Sequence, residues 1–179
     1  MTYLIRRAIK TDVLQLEKLV ADYLRETYAS EWHGCREQLE NDLFNDKVNK
    51  VLEILIAENK RSEIIGLIAW TSAYDLHHCL KGGNIIDFYV VPPMRGRGIG
   101  LLLTVALAQE IENCGGAFLH GGAVDDEIVR RFYDRIAMTM PNGECYVSGR
   151  AFRRLAALAG KHSREIVKNL PEKIWNYES

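Results

Sequence analysis

Arg95-Gly96-Arg97-Gly98-Ile99-Gly100 lies between the run Ile86-Asp87-Phe88-Tyr89-Val90-Val91, closed by Pro92-Pro93, and an apolar stretch beginning at Ile99. A β-rich segment that prolines must end, then alternating glycines, then a helical pattern, gathers several backbone N–H groups at a helix start. Such a point attracts an anion, and glycine lets the chain come close to a phosphate. Two familiar phosphate loops fail on spacing. A dinucleotide fingerprint needs glycine where Leu101 stands, and a nucleotide-triphosphate loop needs Gly-Lys-Ser/Thr after the turn. Taken alone, the three glycines also fit a plain strand-to-helix turn.

Working outward, Leu101, Leu102, Leu103, Val105, Ala106, Leu107 and Ile111 make the following helix apolar on most sides, as packing on a sheet requires, and Gly115-Gly116 ends it. Ala117 to His120 reads as a short strand. Asp125 or Asp126 is placed to cap a helix with Ile128, Phe132 and Ile136 inward. A strand around Glu144 to Ser148 and a helix from Arg150 follow.

Upstream, residues 2 to 8 read as a strand and Thr11 or Asp12 as the N-cap of a helix running to about residue 28. A polar, acidic helix is expected from Ser30 to Phe44. Val51 to Ala57 and Ile64 to Tyr74 form an antiparallel pair around the charged turn at 58–63, Asp75 to Gly83 a loop, and Asn84 to Val91 the strand before the glycines. This order predicts an α/β sandwich with a mixed sheet. Residues 1–160 are expected to form one domain and 161–179 a charged tail, helical in part.

The chain has 179 residues, 47% of them hydrophobic, enough to bury a core without staples. Its 23 Lys plus Arg against 24 Asp plus Glu leave a net charge of −1, so no basic excess points to nucleic acid. No apolar run reaches the length of a membrane span, and no signal-peptide pattern opens the chain, so a cytoplasmic protein with no membrane partner is expected. Cys35, Cys79, Cys114 and Cys145 form no CxxC pair, which argues for free thiols and no metal site.

Arg95, Gly98 and Gly100 match the R/Q-x-x-G-x-G/A pattern, and on this the chain resembles the GNAT superfamily of N-acetyltransferases. The resemblance implies a mixed, mostly antiparallel sheet with helices on both faces and a splayed cleft for acetyl-CoA. The RGRGIG loop, Arg95 through Gly100, would hold the pyrophosphate, and Tyr89 and Val90 would offer backbone groups to pantetheine. Downstream, Asp126 to Tyr133 resembles the family's N-x-x-A-x-x-x-Y helix, with Asp126 for Asn and Val129 for Ala. Seven residues are two turns, so Asp126 and Tyr133 share a face. By resemblance Asp126 lies at the cofactor and Tyr133 is the general acid for the departing thiolate. Ala137-Met138 replaces the family's Gly-Phe.

Acetyl transfer to an amine must first remove a proton, at a cost of roughly 4 to 5 kcal/mol for a lysine-like amine at pH 7. Many family members use a glutamate on the strand before the loop. Here only Asp87 carries a carboxylate there, making it the first candidate base, with His120 second, Asn84 and Glu53 weaker candidates for polarising a water, and His77-His78 base or bystander. The expected reaction is direct transfer to a primary amine of a small molecule. A peptide acceptor met by the acidic segment Glu31 to Asp46 is the alternative within the enzyme class, and a non-catalytic acyl-CoA-binding module the alternative outside it. A homodimer is left open.

Overall fold

The computed structural model of the chain describes residues 3–45, 52–122, 127–140 and 143–171. Seven strands, β1 (Leu4–Arg7), β2 (Glu53–Glu58), β3 (Ile64–Asp75), β4 (Leu80–Val90), β5 (Phe118–Gly122), β6 (Met138–Thr139) and β7 (Glu144–Ser148), form one sheet in the order β1-β2-β3-β4-β5-β7-β6. Every pairing is antiparallel except β4 with β5. The parallel pair follows from its connection, since the 15-residue helix α3 (Ile99–Asn113) carries the chain back across the sheet between them. The expected fold class, a mixed and mostly antiparallel sheet with helices on both faces, is what the chain adopts.

Alternation along the strands builds two cores. Leu67 and Ala69 of β3 and Tyr89 of β4 meet Leu16, Leu19 and Tyr23 of α1 (Val13–Tyr28) and Leu43 of α2 (Arg36–Phe44) on one face. Ile68 and Trp70 meet Leu103 and Leu107 of α3, Ile136 beyond α4 (Glu127–Tyr133), and Phe152 and Leu155 of α5 (Gly149–Ala156) on the other. Leu103 and Leu107 are fully buried, so truncating either to alanine removes about 2–5 kcal/mol of stability.

Several boundaries differ from expectation. Helix α2 begins at Arg36, and residues 30–35 are not helical. Asp12 does not cap α1 forward. Its buried carboxylate turns back to the Ile9 N–H at 2.8 Å and to Arg6 at 2.7 Å. Strand β4 starts at Leu80, so the supposed loop is only a short turn, and Gly82-Gly83 is strand. A β-carbon on Gly82 would lie 2.5 Å from the Phe118 carbonyl oxygen, so glycine there lets β5 approach. Past Gly160, Ser163–Asn169 form α6, whose Ile166 is fully buried in the α3-side core. The expected caps Asp125 and Asp126 lie outside the described residues, and α4 buries Tyr133 more deeply than Phe132. Among the described residues no helix is long and apolar enough to cross a membrane.

Candidate active site

Strands β4 and β5 are paired only at Gly83↔Leu119 and Asn84↔His120. Beyond that point β4 continues to Val90 beside β3 alone, and a gap opens between the two strands. A bulge helps to turn β4 away: Trp70 pairs with Ile85 and Ala69 with Asp87, leaving Ile86 as the extra residue.

At the far end of β4 the chain makes a tight turn, with Met94 N–H to Val91 O at 2.9 Å and Arg95 N–H to Pro92 O at 3.2 Å. Gly96 and Gly98 then take φ of 70° and 79°, the left-handed region that favours glycine. Among the described residues, the N–H groups of Gly96, Gly98, Ile99 and Gly100 donate to no backbone carbonyl. Ile99, 1% exposed, anchors the helix start in the core, while a β-carbon on Gly100 would stand 3.2 Å from the Phe88 ring. The expected loop is thus a cluster of available donors at the N-terminus of α3, a fit for a pyrophosphate. Exposed Arg97 sits between the two left-handed glycines.

Arg95 is engaged elsewhere. Its Nε donates to Val90 O at 2.8 Å, its Nη1 to Glu26 Oε1 at 2.6 Å, and its guanidinium lies 5.4 Å from the Tyr89 ring centre. The Tyr89 hydroxyl donates to the other Glu26 oxygen at 2.8 Å and is pushed up to about 12 by burial and by that carboxylate. Arg95 in turn holds the Glu26 carboxyl below its usual range. Sequence reasoning missed Glu26. The available signal was its place on the stripe Leu16, Leu19, Tyr23, Glu26, where a carboxylate continues an apolar face.

On the α3 side of the gap, a small pocket of ≈ 20 Å³ is lined by Ile85, Thr104, Leu119, Gly121, Tyr133 and Cys145 among others. Tyr133 is 7% exposed, edge-on to Phe132 with ring centres 5.2 Å apart. Burial raises its hydroxyl above the ordinary tyrosine value, which keeps it protonated. Among the described residues that hydroxyl has no hydrogen-bond partner. Cys145, buried beside it, has its thiol pushed up by burial, away from the nucleophilic thiolate.

Asp87 lies on the opposite face. It pairs with Ala69 and points toward α1, where Tyr23 hydrogen-bonds to it. Burial raises its carboxyl and the Tyr23 bond partly opposes that. The Tyr23 and Tyr28 hydroxyls are 3.3 Å apart. Tyr133 and Asp87 therefore lie on opposite faces of the sheet. Asp126 lies outside the described residues. Glu53 is on neither side of this gap, being paired with Arg7 at 2.9 Å, and His78 bonds Asp75 at 2.8 Å in the β3–β4 turn.

Residues 18–138 match the model of the Acetyltransferase (GNAT) family. Over 111 residues the chain is 25% identical to an aminoalkylphosphonate N-acetyltransferase of Salmonella typhimurium, covering 62% of this chain and 68% of that protein. Its fold is similar to that of a ribosomal-protein-alanine N-acetyltransferase from Brucella melitensis, with TM-score 0.64, 21% identity, and 79% and 94% of the two chains covered. It is also similar to the PaiA N-acetyltransferase of Thermoplasma acidophilum in complex with coenzyme A, with TM-score 0.61, 16% identity, and 82% and 97% covered. With the family matched over most of the chain, and a glycine loop and splayed strands of the kind its reaction needs, the chain belongs to the GNAT acetyltransferase family and is an acetyl-CoA-dependent N-acetyltransferase.

Proposed function

We propose that the chain transfers the acetyl group of acetyl-CoA to a primary amine of a small molecule by direct attack in a ternary complex. The observation that carries this reading is the parting of β4 from β5 beyond Asn84 and His120, with the Tyr133 pocket on one face of the sheet and Asp87 on the other. An acyl donor held at the loop with its thioester at the gap leaves the opposite face to the amine, so neither has to depart before the other arrives. The donor N–H groups of Gly96, Gly98, Ile99 and Gly100 would take the pyrophosphate, with Arg95 and Arg97 beside it and Val90 and Tyr89 along the pantetheine path. Tyr133 would return a proton to the thiolate, and Asp87 lies on the side from which the amine approaches.

A covalent acetyl-enzyme is disfavoured. Cys145 is the cysteine that lines the pocket, and its raised thiol is a poor nucleophile at neutral pH. Cys114, beyond the last residue of α3, is about 22 Å from the loop at 1.5 Å per helical residue. The small-molecule reading is supported by the Salmonella relative, named for an aminoalkylphosphonate acceptor. The carboxylates of α2 each have a partner on the chain, Glu37 accepting from the Cys35 thiol at 3.0 Å, Glu40 paired with Lys10 at 2.6 Å and Asp42 accepting from Gln38 at 2.7 Å.

Thiol release from acetyl-CoA, followed with aminoalkylphosphonates, polyamines, aminoglycosides and lysine-containing peptides, tests the acceptor. Small amines should be turned over and peptides not, and initial rates at varied acetyl-CoA should give intersecting double-reciprocal lines. A peptide preference, or parallel lines, would count against the corresponding half of the reading.

A further inference from the structure

We infer that His120, oriented by Asn84, is the group that takes the proton from the acceptor amine, a role resting on the acetyl transfer proposed above. Asn84 and His120 are the last pair in register before β4 and β5 part, so they stand at the root of the gap. Leu119 is buried in the α3-side core, and alternation turns His120 to the other face, the face of Asp87. The His120 Nδ1 lies 2.9 Å from Asn84 Oδ1. An amide oxygen only accepts, so this ring nitrogen carries the hydrogen and Nε2 keeps its lone pair.

The surroundings of Nε2 suit a proton acceptor. Glu144 Oε1 is 4.0 Å away, too far for a hydrogen bond but close enough to stabilise an imidazolium, and the His120 side chain is 37% exposed, within reach of an incoming amine. Tyr146, its neighbour in register on β7, does not compete for the ring, because its hydroxyl donates to Asp75 at 2.8 Å. Of the titratable groups of β4 on this face, Asp87 is already engaged by Tyr23 of α1, and the Tyr89 hydroxyl donates to Glu26 at 2.8 Å. Tyr133 reaches the gap from α4 on the opposite face.

The proton count closes. Nε2 takes one proton from the ammonium, and the freed lone pair forms the C–N bond at the thioester carbonyl. On collapse the C–S pair goes to sulfur, which takes the Tyr133 proton, and the nitrogen sheds its extra proton to reset the tyrosine. The imidazolium then loses one proton to solvent, which balances ammonium plus thioester against amide, thiol and H⁺.

The test has a part that needs no substrate. Imidazole nitrogen spectra of the whole chain should show His120 as the Nδ1–H tautomer, lost in Asn84→Leu; an Nε2–H tautomer in the wild type overturns the inference whatever the acceptor proves to be. With an amine that is turned over, His120→Gln should lower kcat/KM about 100-fold or more. It should also remove the acid limb of the pH profile and leave the CoA Kd within about threefold. Asn84→Asp should shift that limb to higher pH, a change that a purely structural asparagine would not produce. More than a third of wild-type kcat/KM retained in His120→Gln, or loss of the limb in Asp87→Asn instead, would assign the proton to another group while leaving the acetyl-transfer reading standing.

Discussion

Burial acts on Tyr133 and Asp87 in the same direction and with different consequences. Each charged form is disfavoured, so Tyr133 keeps the proton it would give to a thiolate, while Asp87 holds its own proton more tightly than an exposed aspartate. Tyr133→Phe keeps the buried ring and loses only the hydroxyl. It should lower kcat about 100-fold, roughly 3 kcal/mol of barrier, with the acetyl-CoA Kd within about threefold. Retention of more than half the wild-type kcat, measured where chemistry limits turnover, would leave Tyr133 a packing residue. For Asp87 the consequence appears in stability. Its folded pKa lies above the unfolded one, so its ionisation removes stability as pH rises from about 3.9 toward the raised value. Asp87→Asn, which still accepts from Tyr23, should therefore raise Tm at pH 7 and have no such effect below about pH 3.5. Equal Tm differences at both pH values would mean that the carboxyl titrates alike in the folded and unfolded chain.

Among the elements, the glycine loop and α6 depend on each other. Gly96 and Gly98 share the left-handed conformation, yet a β-carbon on Gly96 meets nothing within 4 Å while one on Gly98 would lie 2.6 Å from Ser163 Cβ. Gly96→Asp should weaken CoA binding more than tenfold by calorimetric titration, through repulsion, at a folding cost of about 1–2 kcal/mol for the left-handed residue. Gly98→Ala adds a clash to the same strain and should lower Tm further than Gly96→Ala; equal losses would mean that α6 does not back the loop. This division also accounts for what the sequence revealed. The glycine turn and α3 were legible because glycines and an apolar run are local signals. The start of β4 was not, because Gly82-Gly83 reads as a turn and only the neighbouring β5 shows why glycine stands in a strand. Nor was α6, where a single fully buried residue, Ile166, fixes a charged helix. Glu26 escaped for a related reason, since its partners Tyr89 and Arg95 are 63 and 69 residues away in sequence.

At the scale of the whole molecule, the described C-terminal segment connects the two ends of the proposed cofactor site. Ser163 lies against Gly98 of the loop, Ile166 fills the α3-side core, and Arg135, just beyond Tyr133, donates to Val167 O at 2.8 Å and Pro171 O at 3.1 Å. Binding at the loop and packing of α6 should therefore be linked. A ligand that binds only the folded chain stabilises it by about 2.7 kcal/mol at a hundredfold excess over Kd, so CoA should raise Tm by roughly 5–10 °C and NADH should not. Ile166→Ala leaves a cavity worth about 2–5 kcal/mol, a Tm loss of roughly 4–20 °C. If α6 only covered the core, the variant would start lower and gain the same increment from CoA. Because α6 also backs Gly98, we expect a smaller increment at equal CoA and a Kd weakened several-fold in titration. An unchanged increment would confine α6 to stability and leave the loop to hold its conformation unaided.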